Sequence, residues 1–271
     1  MRHFAFAVCA LALSARAVLA ADAARPFYLL SGEDAPRDNW SGSYVGINGG
    51  WIGSSHNAVT NSATDSTSGG LGGALSAGAI PGHLGIEHRG FIGGGQIGYN
   101  WQIEPKFVWG IEADFDGIAK GSSDTVYSFP GSSAFVPVNT VYNATMDSLG
   151  TVRARVGYLP SKDILWYATG GVAFSNTKVG SAFYCPACKP PPFAPATVLQ
   201  TSIISAGWTA GGGVEWRFAP SLSVKAEYLY VDLGSQSNVI TYAYGSNTSS
   251  LTSFFSEHDN VLRVGLNYRL F

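Results

Sequence analysis

The sequence predicts an all-β protein: an eight-stranded antiparallel up-and-down transmembrane β-barrel with short periplasmic turns and four long extracellular loops. Three observations carry this. Segments of about ten residues, long enough to cross a bilayer when tilted, alternate apolar with polar or small residues. The connections between them alternate between about three to five and about 25 to 37 residues, as in bacterial barrels whose long loops lie outside the cell. The composition is 46% hydrophobic and 13% aromatic but only 13% charged, with 34 glycines in 271 residues. That is about half the charged fraction of a soluble domain. The formal net charge of −2 offers no basic footprint, so no nucleic-acid partner is expected.

The N-terminus predicts export. Arg2 and His3 precede an apolar run over 4–13, too short for a membrane-spanning helix. Val18-Leu19-Ala20 offers a signal-peptidase cut before Ala21, with an alternative at Ala15-Arg16-Ala17. Residues 1–20 are therefore read as a signal peptide, 21–42 as a short N-terminal segment and 43–271 as the barrel domain. Cys9 would leave with the signal.

The eight strands follow in order. The first, 43–52, points Val45, Ile47 and Trp51 outward and Tyr44, Gly46, Asn48 and Gly50 inward. The second, 90–101, sends out Phe91, Ile97, Tyr99 and Trp101 and turns Gly94, Gln96, Gly98 and Asn100 in. The third, 107–117, sets an aromatic stripe (Phe107, Trp109, Phe115) against Glu112, Asp114 and Asp116. The fourth, 148–158, turns Thr151, Arg153 and Arg155 inward. The fifth, 164–175, sends out Trp166, Val172 and Phe174, with Tyr167 and Thr169 inside. The sixth, 206–218, shows Trp208, Val214, Trp216 and Phe218 to lipid and Thr209, Glu215 and Arg217 to the lumen. The seventh, 222–233, turns Lys225 and Glu227 inward. The last, 261–271, alternates Leu262, Val264, Leu266, Tyr268 and Leu270 with Arg263, Gly265, Asn267 and Arg269. Carboxylates opposite an aromatic stripe suit a polar-filled barrel, whereas a lipocalin-like carrier would reverse the two faces.

The inward charges form the main candidate site: Glu112, Asp114, Asp116, Arg153, Arg155, Glu215, Arg217, Lys225, Glu227 and Arg263. They are read as a paired structural lumen network, because an eight-stranded barrel is barely wide enough for its own side chains. The turn at Ala219-Pro220-Ser221 sets a register with Glu215 opposite Lys225, and these two are expected to pair. His56, His83, His88 and His258 fall in predicted loops and are read as surface histidines, so no metal and no cofactor is expected. No nucleophile motif is present, and no enzyme is expected. Cys185-Pro186-Ala187-Cys188 has neither the helix of a thioredoxin-like site nor a second pair for zinc. A local loop disulfide between Cys185 and Cys188 is the expectation.

Several stretches together carry a resemblance: Trp40-Ser41-Gly42-Ser43-Tyr44-Val45-Gly46, Gly94-Gly95-Gln96-Ile97-Gly98-Tyr99-Asn100-Trp101, Gly110-Ile111-Glu112-Ala113-Asp114-Phe115, Thr151-Val152-Arg153-Ala154-Arg155-Val156-Gly157-Tyr158 and Lys225-Ala226-Glu227-Tyr228. With these the chain resembles the small outer-membrane porin-family barrels of the outer-membrane protein 25/31 type, related to OmpA-like and opacity-type surface proteins. The resemblance covers the strands and not the loops. It implies a structural surface barrel in the bacterial outer membrane, facing host or environment. The alternative is a narrow passive diffusion porin, and haem or ligand binding is a lesser one. The partners it implies are outer-membrane lipid, lipopolysaccharide and the barrel-assembly machinery, which would meet the C-terminal strand ending at Phe271. The family's terminal pattern is shifted by one here, with Leu270 at its final place and Phe271 after it. What the loops bind is left open.

Overall fold

The computed structural model describes residues 39–54, 57–65, 71–120, 124–132, 137–184, 197–244 and 247–270. The strands are β1 (Gly42–Ser54), β2 (Ala58–Asp65), β3 (His83–Gly85), β4 (Arg89–Glu104), β5 (Phe107–Lys120), β6 (Asp124–Phe129), β7 (Val138–Ser161), β8 (Ile164–Tyr184), β9 (Thr197–Ala219), β10 (Leu222–Tyr244) and β11 (Asn247–Arg269), with one short helix, α1 (Leu71–Ser76). Antiparallel pairing runs β1-β4-β5-β7-β8-β9-β10-β11 and closes through β1 on β11, a ring through eight strands. The closing register runs from Tyr44 opposite Arg269 to Ser54 opposite Asp259. Closure leaves the ring without an edge to satisfy, a requirement for strands in lipid.

The period-2 pattern decides which face is which. On β11, Leu262, Val264, Leu266 and Tyr268 are all exposed, while Arg263 and Asn267 are buried. The outward aromatics gather towards the turn end, where Trp101 lies opposite Trp109 and the Phe107–Tyr158 and Trp216–Phe218 ring centroids are 5.7 and 5.8 Å apart. Another pair, Trp208 and Tyr230 at 5.5 Å, stands nearer the far end. Two aromatic girdles around an apolar band are what a membrane interface selects. Beyond Leu262 the outward residues of β11 turn polar at Asn260, His258 and Ser256, so the lipid-facing span of this strand is 262–270. Val264→Arg, within that span, is expected to cost about 2–4 kcal/mol, and Asn260→Arg, at its upper edge, about 0–1. Urea unfolding of the barrel in lipid vesicles measures both, and equal costs would overturn this upper limit of the lipid-facing span.

The strands run further than the sequence pattern predicts. β7, β8, β9, β10 and β11 continue far past the band, and β2, β3, β6 and α1 occupy stretches expected to be loop. The apolar alternation that marked the strands is imposed by lipid. Above the band it gives way to Ser, Thr and Asn, which pair through the backbone equally well but leave no periodic signature. The bulge in β10 is also unheralded. The β10–β11 register slips between Asp232 and Ser235 where Gly234 takes φ +71, a left-handed conformation that glycine adopts at no steric cost.

Candidate functional site

The lumen is built in layers, and three successive inward residues of β11 mark them: Arg263, Val261 and Asp259. Lowest is a belt of charges on alternate positions of β5, β7, β9, β10 and β11. Arg263 is held by Asp114 at 2.9 Å, Asp116 at 2.7 Å and Glu227 at 2.7 Å. Arg153 reaches Glu112 at 2.6 Å, Asp114 at 2.9 Å and Glu227 at 3.1 Å. Arg155 pairs with Glu215 at 3.0 Å. Its guanidinium lies between the rings of Tyr44 and Tyr167, 4.9 and 5.3 Å from their centroids. Neutral donors complete the shell. Tyr44 donates to Glu112 at 2.7 Å, Tyr167 to Glu227 at 2.9 Å, Thr151 to Asp114 at 2.8 Å and Asn267 to Glu215 at 2.8 Å.

Glycines make this crowding possible. A Cβ on Gly98 would overlap the Tyr44 hydroxyl, and one on Gly213 would sit 2.7 Å from that of Tyr167. Each glycine clears the wall so that a tyrosine can stand in the lumen and cap a carboxylate.

Two of the sequence expectations for this belt need correction. Glu215 does lie opposite Lys225 in the β9–β10 register, but the pair is not an ion pair among the described contacts. Lys225 instead crosses the lumen to Glu112 at 2.7 Å, because Arg155, Ser223 and Asn267 already occupy the Glu215 carboxylate. Arg217 stands apart from the belt at the turn end. It donates to the carbonyls of Asn39 and Lys162, lies 3.3 Å from Asp163, and stacks over the Trp40 ring at 5.2 Å. Trp40 donates its ring N–H to the Lys162 carbonyl at 3.0 Å, which packs it against the turn end of the barrel.

Above the belt lies an apolar layer that the sequence reading missed. Ile52, Ile92, Leu149, Leu229, Val231, Leu233 and Val261 are buried together across the lumen. Leu229 and Val261 face each other across β10 and β11. Their parity is inward, but an apolar residue at an inward position looks like noise when the rule is apolar-out.

Above this layer, and beneath a second buried cluster of Val59, Ile86, Tyr142, Val179 and Phe255, His88, Glu257 and Asp259 converge, with one ligand atom from each within 4.8 Å of the others. His88 brackets the end of β1 through backbone contacts with Ser54, and Asp259 lies opposite Ser54 on the other side. All three are buried. At this height the outward residues of β11 are polar, so the cluster stands outside the lipid-facing span. Burial and the adjacent Asp259 carboxylate push Glu257 up to about 7. His88 is also raised: burial disfavours its charge, but the Asp259 and Glu257 carboxylates outweigh that. The reading of His88 as a surface histidine is thus corrected. His83 is exposed beside Thr60, and His258 lies 3.3 Å from Asp232. His56, Cys9, Cys185, Cys188 and Phe271 lie outside the described residues.

The chain matches the family model described as the outer membrane protein beta-barrel domain over residues 6–269. It belongs to the outer-membrane β-barrel protein family. This outer-membrane barrel is 34% identical over 239 residues to the 31 kDa outer-membrane immunogenic protein of Brucella melitensis, covering 87% of this chain and 86% of that one. It is 24% identical over 238 residues to the 25 kDa outer-membrane immunogenic protein of Brucella abortus, covering 88% and 82%. Among solved structures it is similar to the outer membrane protein OprG from Pseudomonas aeruginosa, with a TM-score of 0.41, 10% identity and coverage of 85% and 97%. The chain is an outer-membrane surface barrel, and the Brucella relatives are named as outer-membrane immunogenic proteins.

The signal that would have found the mouth of this barrel is the same parity carried further. Residues 257 and 259 continue the inward series of Val261 and Arg263, and 88 continues that of Gly90 and Ile92. The predicted strands stopped too early to include them.

Proposed function

We propose that this outer-membrane barrel is a closed surface protein, a structural scaffold that holds strand extensions and loops outside the cell, and neither a porin nor an enzyme. The observation that carries this is the order of the layers. An ion-paired belt fills the lower lumen, and a layer of buried apolar side chains lies directly above it. An ion would have to displace fixed charges and then cross hydrocarbon. The belt carboxylates are held by arginines, a lysine and tyrosine hydroxyls, which leaves no acid or base poised for a substrate.

The rest of the reading follows from export and position. Residues 1–20 act as the signal, and the barrel then enters the outer membrane through the assembly machinery, guided by its C-terminal strand. Lipid and lipopolysaccharide cover the apolar band. Cys185 and Cys188 form a disulfide in the oxidising exterior. The test is electrical. The purified barrel in a planar bilayer is expected to show no steady conductance, and protease added to intact cells is expected to cut only outside the band. A large, stable conductance in the unmodified protein overturns the closed lumen in favour of a narrow porin.

A further inference from the structure

We propose that the extracellular part of the barrel interior holds a divalent transition-metal cation, bound by His88 Nε2 and one carboxylate oxygen each from Glu257 and Asp259. The donor set is one imidazole and two carboxylates, which suits zinc and its first-row neighbours rather than calcium or magnesium, the all-oxygen cations.

Four observations support it. First, the three donors come from separate places, His88 just before β4 and the two acids on β11, yet lie within 4.8 Å of one another. Second, His88 Nε2 and Asp259 Oδ1 pair at 3.0 Å, while Asp259 Oδ2 has no hydrogen-bond partner among the described residues. Asp259 is wholly buried. Leaving one oxygen of a buried carboxylate without a donor is costly. Two ligands on one cation with bonds of about 2.1 Å sit roughly 3–3.4 Å apart, a spacing that this pair already has. Third, a cavity of about 20 Å³ adjoins Glu257, lined also by Thr177, Ser205 and Asn57. Ser205 Oγ is fully buried and has no partner among the described residues. The cavity is large enough for one water beside Glu257. Fourth, Thr177 donates to Glu257 from across the lumen at 3.1 Å, and the Gly234 bulge lies in the β10 stretch paired with this part of β11.

Asn57 sets the proton balance of the site. Its Oδ1 accepts the His258 backbone N–H at 2.6 Å, so its amide nitrogen faces His88 Nδ1 at 3.2 Å. In the metal-free protein Nδ1 accepts and the imidazole proton is on Nε2. Coordination through Nε2 requires that proton to leave it, with Nδ1 carrying the ring proton, and an amide NH₂ is then the wrong neighbour. An acceptor at position 57 orients a metal-bound histidine correctly, as carboxylates do behind such ligands.

The test uses tag-free barrel, purified from outer membranes in detergent, stripped with chelator and titrated with Zn²⁺ and Co²⁺. Uptake of one ion per barrel is expected, with a Co²⁺ visible spectrum characteristic of low coordination number. Asp259→Asn and His88→Ala should abolish uptake while gel mobility still reports a folded barrel. Asn57→Asp should tighten binding by about 10–100-fold, the range for partners behind a ligand. A folded wild-type barrel that takes up no Zn²⁺ or Co²⁺ overturns the proposal. So does uptake unchanged by Asp259→Asn, or a preference for Ca²⁺, which would remove His88 from the ligand set.

Discussion

Arg263→Met is expected to destabilise the barrel by about 3–5 kcal/mol, the cost of stranding buried partners of an ion pair. Arg263 is wholly enclosed and ties together Asp114, Asp116 and Glu227. Its removal leaves Asp116 with no other ion pair among the described residues, while Asp114 and Glu227 keep Arg153. Arg263→Lys should recover only part of the loss, because an ammonium cannot reproduce the fork that engages three carboxylates at once. Asp116→Asn in the Met background should restore stability relative to Arg263→Met alone, since it removes the uncompensated charge. Urea midpoints of the barrel in vesicles decide the point. Equal stability of wild type and Arg263→Met would mean that water, rather than arginine, solvates these acids.

The second large effect belongs to the apolar layer. Leu229→Ala should cost about 2–5 kcal/mol, the sum of lost transfer energy and a cavity that the closed wall cannot collapse into. Leu229 is completely buried, facing Val261 and packed in the layer with Ile52 and Leu149. The cavity should stay dry and admit a small apolar guest, so benzene should raise the stability of the variant and not that of the wild type. Leu262→Ala supplies the contrast. Leu262 is 61% exposed on the lipid side next to Val261, and the bilayer fills whatever space it vacates, so only the transfer part is lost. Equal costs at 229 and 262, or no benzene effect, would argue for a wet lumen at this height.

The membrane-spanning half of the molecule was legible because lipid enforces alternation. Leu262, Val264, Leu266 and Tyr268 against Arg263 and Asn267 could be read from one strand, and Glu112, Asp114 and Asp116 fell inside on the same logic. Which charges touch was not legible. Register placed Lys225 opposite Glu215, but a long side chain in a narrow lumen takes the partner across the barrel, here Glu112, when its neighbour is already engaged. The mouth was hidden for another reason. Above the band no solvent or lipid contrast distinguishes the two faces of a strand of Ser and Thr, so Glu257 and Asp259 were assigned to loop. His88, a single residue, reveals its role only when β1 brings it beside Asp259.

The pairing of β10 with β11 persists to Tyr244 opposite Asn247. From Asn260 to that tip the ladder rises roughly 30 Å at ordinary rise and barrel tilt. It is a mast rather than a tether: a continuous ladder carries its far end well clear of the lipid-facing span. A macromolecule that docks on its flank meets side chains already aligned on a pleat, and loses little freedom in ordering them. Substitutions along the flank repaint that surface without bending it, whereas a one-residue insertion in either strand would turn every side chain beyond it to the opposite face.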